Sequence, residues 1–221
     1  MMWDPLIKLK DDIIHIFDSS LDRYEEEDLT RFNKSGWINL TWKSDRFRRA
    51  HIDVVDARET KKLWMMHVCI FPNLKSGAPI YGFDVISGPS KITGAFHDFS
   101  PVNYNDIALK YFSDAASSFS WNKERELPDW GKAIFSNKII AAGNIQTDKE
   151  IQNLCSLVLT NTRWYVNTMR IEDDMPSSYA HNRYAHYQKQ NPHTPRTMKA
   201  LGLDEEDVDL FVNKCLFPEI T

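Results

Sequence analysis

The sequence predicts an α+β fold in which an antiparallel β-sheet is laid down first and then covered by helices. Three observations predict it. Between Trp37 and Phe99, successive apolar runs show the period-2 alternation of half-buried strands. The runs are joined by about four to eight residues, which suits an antiparallel meander and is too short for parallel crossovers. From Thr147 onward the apolar period changes to that of a helix. A sheet followed by covering helices gives a layered architecture.

The chain opens with a helix predicted over Pro5–Asp18. Asp4 is placed to cap it, Pro5 suits its first position, and Leu6, Leu9, Ile13, Ile16 and Phe17 form its apolar stripe. A polar stretch, Ser19–Ser35, leads into strands at Trp37–Trp42, Phe47–Ala57, Lys62–Phe71, Pro79–Ser87 and Lys91–Phe99. Tyr104–Ser118 reads as a helix and Asn137–Ala142 as a further strand. Thr147-x-x-Glu150 is a capping box. It starts a long helix whose stripe includes Ile151, Leu154, Val158, Tyr165 and Met169. Met175–Gln188 reads as a polar helix. Asp204–Phe217 reads as another, with Val208, Phe211, Val212, Cys215 and Leu216 on one face and Pro218 as its stop.

The length of 221 residues suits a single domain, residues 1–221. A hydrophobic share of 42% and a charged share of 26% are those of a soluble globular protein. Twenty-seven basic against 31 acidic residues, a net charge of −4, argue against a general nucleic-acid binder. Local basic clusters remain at Arg46, Arg48 and Arg49 and at Lys61 and Lys62. Cys69, Cys155 and Cys215 lack CxxC spacing and lie on apolar faces, as buried thiols in a reducing cytoplasm do. No apolar run approaches the roughly 18 residues of a membrane span, and the N-terminus lacks a signal-peptide pattern. A cytoplasmic location without membrane association is therefore expected. The aromatic content suits a pocket for a flat conjugated ligand, although most such rings build cores.

Chemistry concentrates in the middle strands. Period-2 geometry puts His51 and Asp53 on one face, about 7 Å apart. His67 lies mid-strand in LWMMHVCIFP, and Asp84 does the same in PIYGFDVISG. Ionisable groups on apolar strands are costly to bury without partners, which makes them candidates for proton chemistry. No GxGxxG, P-loop or GxSxG motif occurs, and no Cys/His set has zinc spacing. From spacing alone three readings stand: a 2-His-1-carboxylate iron site on His51, Asp53 and His67, a proton-delivery site for a large conjugated substrate, and a set of hydrogen-bonded structural residues.

The segments FRRAHIDV, HVCIFPN, GAPIYGFDVISGPSKITGAF, DFSP and RELPDWG resemble those of the ferredoxin-dependent bilin reductases. The pattern is closest to the phycocyanobilin-type branch and its viral, phycoerythrobilin-forming relatives. The resemblance implies a three-layer α/β/α sandwich with a central antiparallel sheet, and biliverdin IXα between that sheet and the C-terminal helices. It implies no bound cofactor and no metal. Reduced ferredoxin supplies electrons singly and the protein supplies protons. Ferredoxin is expected to dock on local basic residues near the pocket mouth, and the protein to act as a monomer with hand-over to a haem oxygenase or bilin lyase.

By that resemblance His67 lies near the lactam oxygens, Asp84 exchanges protons with the tetrapyrrole and His51 faces the other lactam ring. A carboxyl group in an apolar pocket has its pKa raised, which suits Asp84 to donate a proton near neutrality. Arg125 matches a propionate-binding arginine, whose fork pairs with a carboxylate, and Thr93 a hydroxyl residue near a propionate. His181, His186 and His193 read as solvated. Two departures bear on product. Asp53 stands where phycocyanobilin-forming members carry a glutamate that assists D-ring exovinyl reduction; its carboxyl group is withdrawn by about 1.5 Å, a misplacement of the size that costs rate. Asn191 stands where many members carry an aspartate; an amide is no general acid, and Asn191 is expected to bind substrate instead, orienting a water or a lactam. Phycoerythrobilin through 15,16-dihydrobiliverdin is the expected product, with phycocyanobilin, or a carrier that binds bilin without chemistry, as alternatives.

Overall fold

A computed structural model of the chain describes residues 2–103, 106–170 and 177–220. Among the described residues, seven strands form one sheet in sequence order, every neighbouring pair antiparallel. They are β1 (Asp22–Tyr24), β2 (Trp37–Lys43), β3 (Phe47–Ala57), β4 (Leu63–Pro72), β5 (Ile80–Ser87), β6 (Ile92–Ser100) and β7 (Ile140–Ala142). The helices are α1 (Asp4–Ser20), α2 (Glu27–Thr30), α3 (Asp106–Ser117), α4 (Asp129–Lys132), α5 (Asp148–Thr168), α6 (Ser178–Gln188), α7 (His193–Ala200) and α8 (Glu205–Leu210). The last runs into a π-helical turn, Phe211–Leu216.

Strand alternation sends side chains to two cores. On one face Ile52, Val54, Met66, Val68, Phe83 and Val85 pack with Leu9 and Ile13 of α1 and Leu154 and Val158 of α5. On the other, Val55, Met65, Phe71 and Ile80 pack with Tyr184 of α6, Met198 of α7, Val208 of α8 and Phe211 and Leu216 of the π-turn. Each such side chain, fully buried, contributes about 1.5–3 kcal/mol. The result is the three-layer α/β/α sandwich that the family resemblance implied.

Several local expectations are corrected. Trp3, not Asp4, is the N-cap of α1, and no side chain caps it. Thr147 does cap α5, accepting from Glu150 N at 3.2 Å. The Glu150 carboxylate, however, takes the Thr147 hydroxyl and the backbone and side chain of Asn122, which ties α5 to the segment before it. The polar stretch 19–35 holds β1 and α2, stabilised by ionic contacts where apolar periodicity is lacking: Glu26 accepts from Arg49 Nε and Nη2 at 2.7 and 2.8 Å, and from the Tyr24 hydroxyl. Asn137–Ala142 contributes only three strand residues, Ile140–Ala142. The predicted helix Asp204–Phe217 divides into α8, capped by Asp204 Oδ1 on Asp207 N at 2.8 Å, and the π-turn. Tyr104, Met175 and Pro176, within predicted helices, lie outside the described residues.

Candidate active site

Register places the chemistry. Asp53 of β3 pairs with His67 of β4, and His67 pairs with Asp84 of β5. Directly opposed residues of antiparallel neighbours share a face, with Cα atoms about 4.5–5.5 Å apart. Asp53, His67 and Asp84 therefore form one line across three strands, on the side covered by α6, α7 and the π-turn. Two residues along each strand lies a parallel line: His51, Cys69, Gly82 and Asp98.

A cavity of about 1020 Å³ opens against this face. That lies at the upper end of the range, roughly 300–1,000 Å³, of small-molecule sites. Its wall includes Asp53, His67, Asp84, Thr93, Arg125 and Asn191. His51 stands outside that wall, fully buried behind His67, with ring centroids 6.4 Å apart. It donates Nε2–H to Asn39 Oδ1 at 3.1 Å. Buried Nδ1 atoms of His51 and His67 lack a partner among the described residues, and such orphans are uncommon in native interiors. Phe217, just past the π-turn, packs edge-on to His67 at 5.7 Å.

Burial sets the protonation states. It pushes Asp84 up to about 7, against a backbone hydrogen bond from Val85. It pushes Asp53 up to about 7 as well, against the Trp37 Nε1–H donated at 2.6 Å, with the charge of Asp84 adding to the rise. The same burial, with the Arg49 cation, brings His67 down to about 4. His51 falls well below the ordinary histidine range for those reasons and through His67 itself. The carboxyl groups, then, hold protons near neutrality and the imidazoles stay neutral.

The remaining predicted residues have local tasks. Exposed Arg125 donates Nη2–H to the Thr93 carbonyl and lies over the Phe96 ring at 5.9 Å. Gly143 makes room for it, since a Cβ there would meet Arg125 Nε at 2.6 Å. The Thr93 hydroxyl donates to the Ile86 carbonyl at 3.0 Å. Asn191 Oδ1 accepts from His193 N at 3.0 Å and so shapes the entry to α7.

Two expectations fail. His181 is not solvated: it is wholly buried, and Arg48 Nε donates to its Nδ1 at 3.1 Å. The cluster Arg46, Arg48 and Arg49 is no docking patch, because each guanidinium turns inward. Arg46 caps the carbonyls of Val166 and Met169, Arg48 lies 4.3 Å over Phe71, and Arg49 grips Glu26 and the Cys215 carbonyl. Lys61 and Lys62 are exposed as expected. Sequence reasoning missed Tyr184, Gln188 and Asp98 in the cavity wall. Asp98 accepts from Ser136 N, Ser136 Oγ and Ser100 Oγ, and burial still lifts it to about 6. The spacing of His181, Tyr184, Ala185 and Gln188 along one helix face was the available signal.

A helix-covered antiparallel sheet presents a line of acid and imidazole groups to one large cavity, the arrangement of a pocket enzyme. The chain matches the family model of ferredoxin-dependent bilin reductases over residues 18–218 and belongs to that family. It is 36% identical over 95 residues to the phycocyanobilin:ferredoxin oxidoreductase of Synechococcus sp. (strain CC9605), covering 42% of this chain and 37% of that one. It is 30% identical over 118 residues to that of Prochlorococcus marinus (strain MIT 9515), covering 52% and 47%. The matches thus span less than half the length of these relatives. A solved structure of PcyX is 36% identical, with a TM-score of 0.74, covering 98% of this chain and 99% of that one. Tomato phytochromobilin synthase, solved in complex with biliverdin, shares the fold at 13% identity with a TM-score of 0.76, covering 95% and 82%.

Proposed function

We propose that this protein reduces biliverdin IXα to phycoerythrobilin through 15,16-dihydrobiliverdin, taking electrons one at a time from reduced ferredoxin. The observation that carries the reading is the line Asp53, His67 and Asp84 on the wall of a cavity of about 1020 Å³. Each reduction of a carbon–carbon double bond consumes two electrons and two protons. Ferredoxin supplies the electrons; Asp84, raised to about 7, is half protonated near neutrality and gives a proton to the pigment radical. Neutral His67 orients the pigment's polar end and passes protons between the flanking carboxyls. The neighbouring relatives' family name and the biliverdin bound to the tomato enzyme support the substrate class.

Asp53 supports the choice of product. Its carboxyl group, 3% exposed at the cavity wall, accepts from Trp37 Nε1 and is one methylene shorter than the glutamate that exovinyl reduction asks for. The names of the relatives from Synechococcus and Prochlorococcus favour phycocyanobilin as the second reading. Anaerobic turnover with reduced ferredoxin, followed by chromatography of the product, decides between them. An unchanged biliverdin spectrum would leave only a carrier. Among the described residues no three His, Cys, Asp or Glu side chains gather as a metal site, and metal analysis of the purified protein tests the iron reading. For ferredoxin the exposed cations Lys61 and Arg196 are the favoured anchors, on a groove that shares Thr197 with the cavity. Their exposure makes turnover fall with added salt.

A further inference from the structure

Among the polar groups of the cavity wall that the proposed proton transfers do not use, Tyr184 is the most firmly held. Tyr184 sits on the inner face of α6, 3% exposed, with its ring among Phe71, Phe135 and Phe217 at centroid distances of 6.0, 6.4 and 6.4 Å. Three rings hold the phenol in one place, yet Tyr184 and Gly82 both line the cavity. The hydroxyl stands directly over Gly82, where an added Cβ would lie 3.4 Å from the phenol oxygen. In the line His51, Cys69, Gly82 and Asp98, the phenol fills the place that the glycine leaves empty. Gly82 is itself fixed from the far side of the sheet. Its carbonyl accepts from His97 Nδ1 at 2.8 Å, and Asn161 Nδ2 lies 3.0 Å from His97 Nε2.

The hydrogen bonds of the phenol are unequal. Gln188 Nε2 donates to its oxygen at 2.8 Å. The Cys69 thiol is the polar neighbour on the other side, acting on the phenol electrostatically, and sulfur is a weak acceptor for the phenol proton. Exchanging that acceptor for a carbonyl or imine is favourable and needs only a rotation about the C–O bond. Burial holds the phenol well above its ordinary pKa, so it stays a neutral donor. An anionic ligand group there would meet the negative charge of Asp98, which already acts on Tyr184. Gly82 and Asp84 are two residues apart on β5, so the phenol and the Asp84 carboxyl address the cavity from points about 7 Å apart.

We infer that the Tyr184 hydroxyl is a pigment-facing hydrogen-bond donor to a neutral acceptor of an open-chain tetrapyrrole, its lactam oxygen or imine nitrogen, and not to its carboxylates. The assignment rests on the bilin reading of the cavity and adds to it a contact from the helical layer, opposite the proton-bearing strands.

Absorbance titration with biliverdin tests it. Tyr184→Phe keeps the ring packing and removes only the donor. It is expected to raise Kd about two- to tenfold, the worth of one hydrogen bond, and to displace the absorbance band of the bound pigment. Gln188→Met leaves the donor in place but frees its oxygen, and is expected to move the same band by less; it carries the test if Tyr184→Phe does not fold. Wild-type Kd and an undisplaced band in both variants overturn the assignment and leave the bilin reading standing. Failure of the wild type to bind biliverdin removes both.

Discussion

Replacing Asp53 by Asn isolates the cost of keeping a carboxyl group in the buried floor of this site. Asparagine preserves shape and still accepts from Trp37 Nε1, the 2.6 Å partner of the native carboxyl. In the fold, burial lifts Asp53 from 3.8 to about 7, whereas the unfolded chain keeps the ordinary value. The folded value is the raised one, so the contribution of Asp53 is complete below about pH 4 and is lost as pH rises through about 7. A displacement of about three pH units corresponds to about 4 kcal/mol, an upper bound that cavity water lowers. Urea unfolding of both proteins at intervals between about pH 4 and about pH 8 measures it. The advantage of Asp53→Asn over the wild type is expected to grow by up to about 1.4 kcal/mol per pH unit until about pH 7 and then to level off. Parallel stability curves across that range would refute a carboxyl stored in protonated form.

Three further outcomes follow from the same geometry. Asp84→Asn is expected to retain biliverdin but to stall as a radical under anaerobic spectroscopy with reduced ferredoxin; full product formation would remove Asp84 as donor. Asp53→Glu is expected to raise the share of phycocyanobilin-type product on chromatography, at about 1–3 kcal/mol of stability for a methylene forced into a packed site. An unaltered product profile would count against Asp53 as the control point. Arg49→Met strands the Glu26 carboxylate and the Cys215 carbonyl. It is expected to cost about 3 kcal/mol in chemical unfolding, at the lower end for a broken buried pair because Glu26 is partly solvated; a loss within experimental scatter would show that the pair does not hold β3 to the π-turn.

What was legible in the sequence was what obeys periodicity. Alternation alone put His51 and Asp53 on one face of β3, and the short connections made β3, β4 and β5 neighbours, so the line of Asp53, His67 and Asp84 needed only the register to appear. The helical cover was harder to read where polar atoms take the place of apolar stripes. The inner face of α6 is His181, Tyr184, Ala185 and Gln188. It carries helical spacing without hydrophobicity, and that is why His181 read as solvated. The short elements α2, α4 and α7 bury few side chains and depend on contacts distant in sequence, as between Glu26 and Arg49. Charge was legible but its direction was not: three arginines in four positions read as a patch, while the fold spends them inside.

That inward charge links the protonation states to the architecture. Burial acts oppositely on acids and bases, raising Asp53 and Asp84 while lowering His51 and His67. Arg49 deepens the second effect, since its buried cation disfavours a charge on either imidazole. The guanidinium is held by Glu26 on one side and by the Cys215 carbonyl of the π-turn on the other. The same turn delivers Phe217 onto the His67 ring, and π-helical turns commonly occur at functional sites. A single residue thus ties the C-terminal segment to β3 and adds to the burial that keeps the histidines neutral. Under the proposed function, proton supply would therefore fall to the carboxyl groups, with the imidazoles left as neutral donors and acceptors.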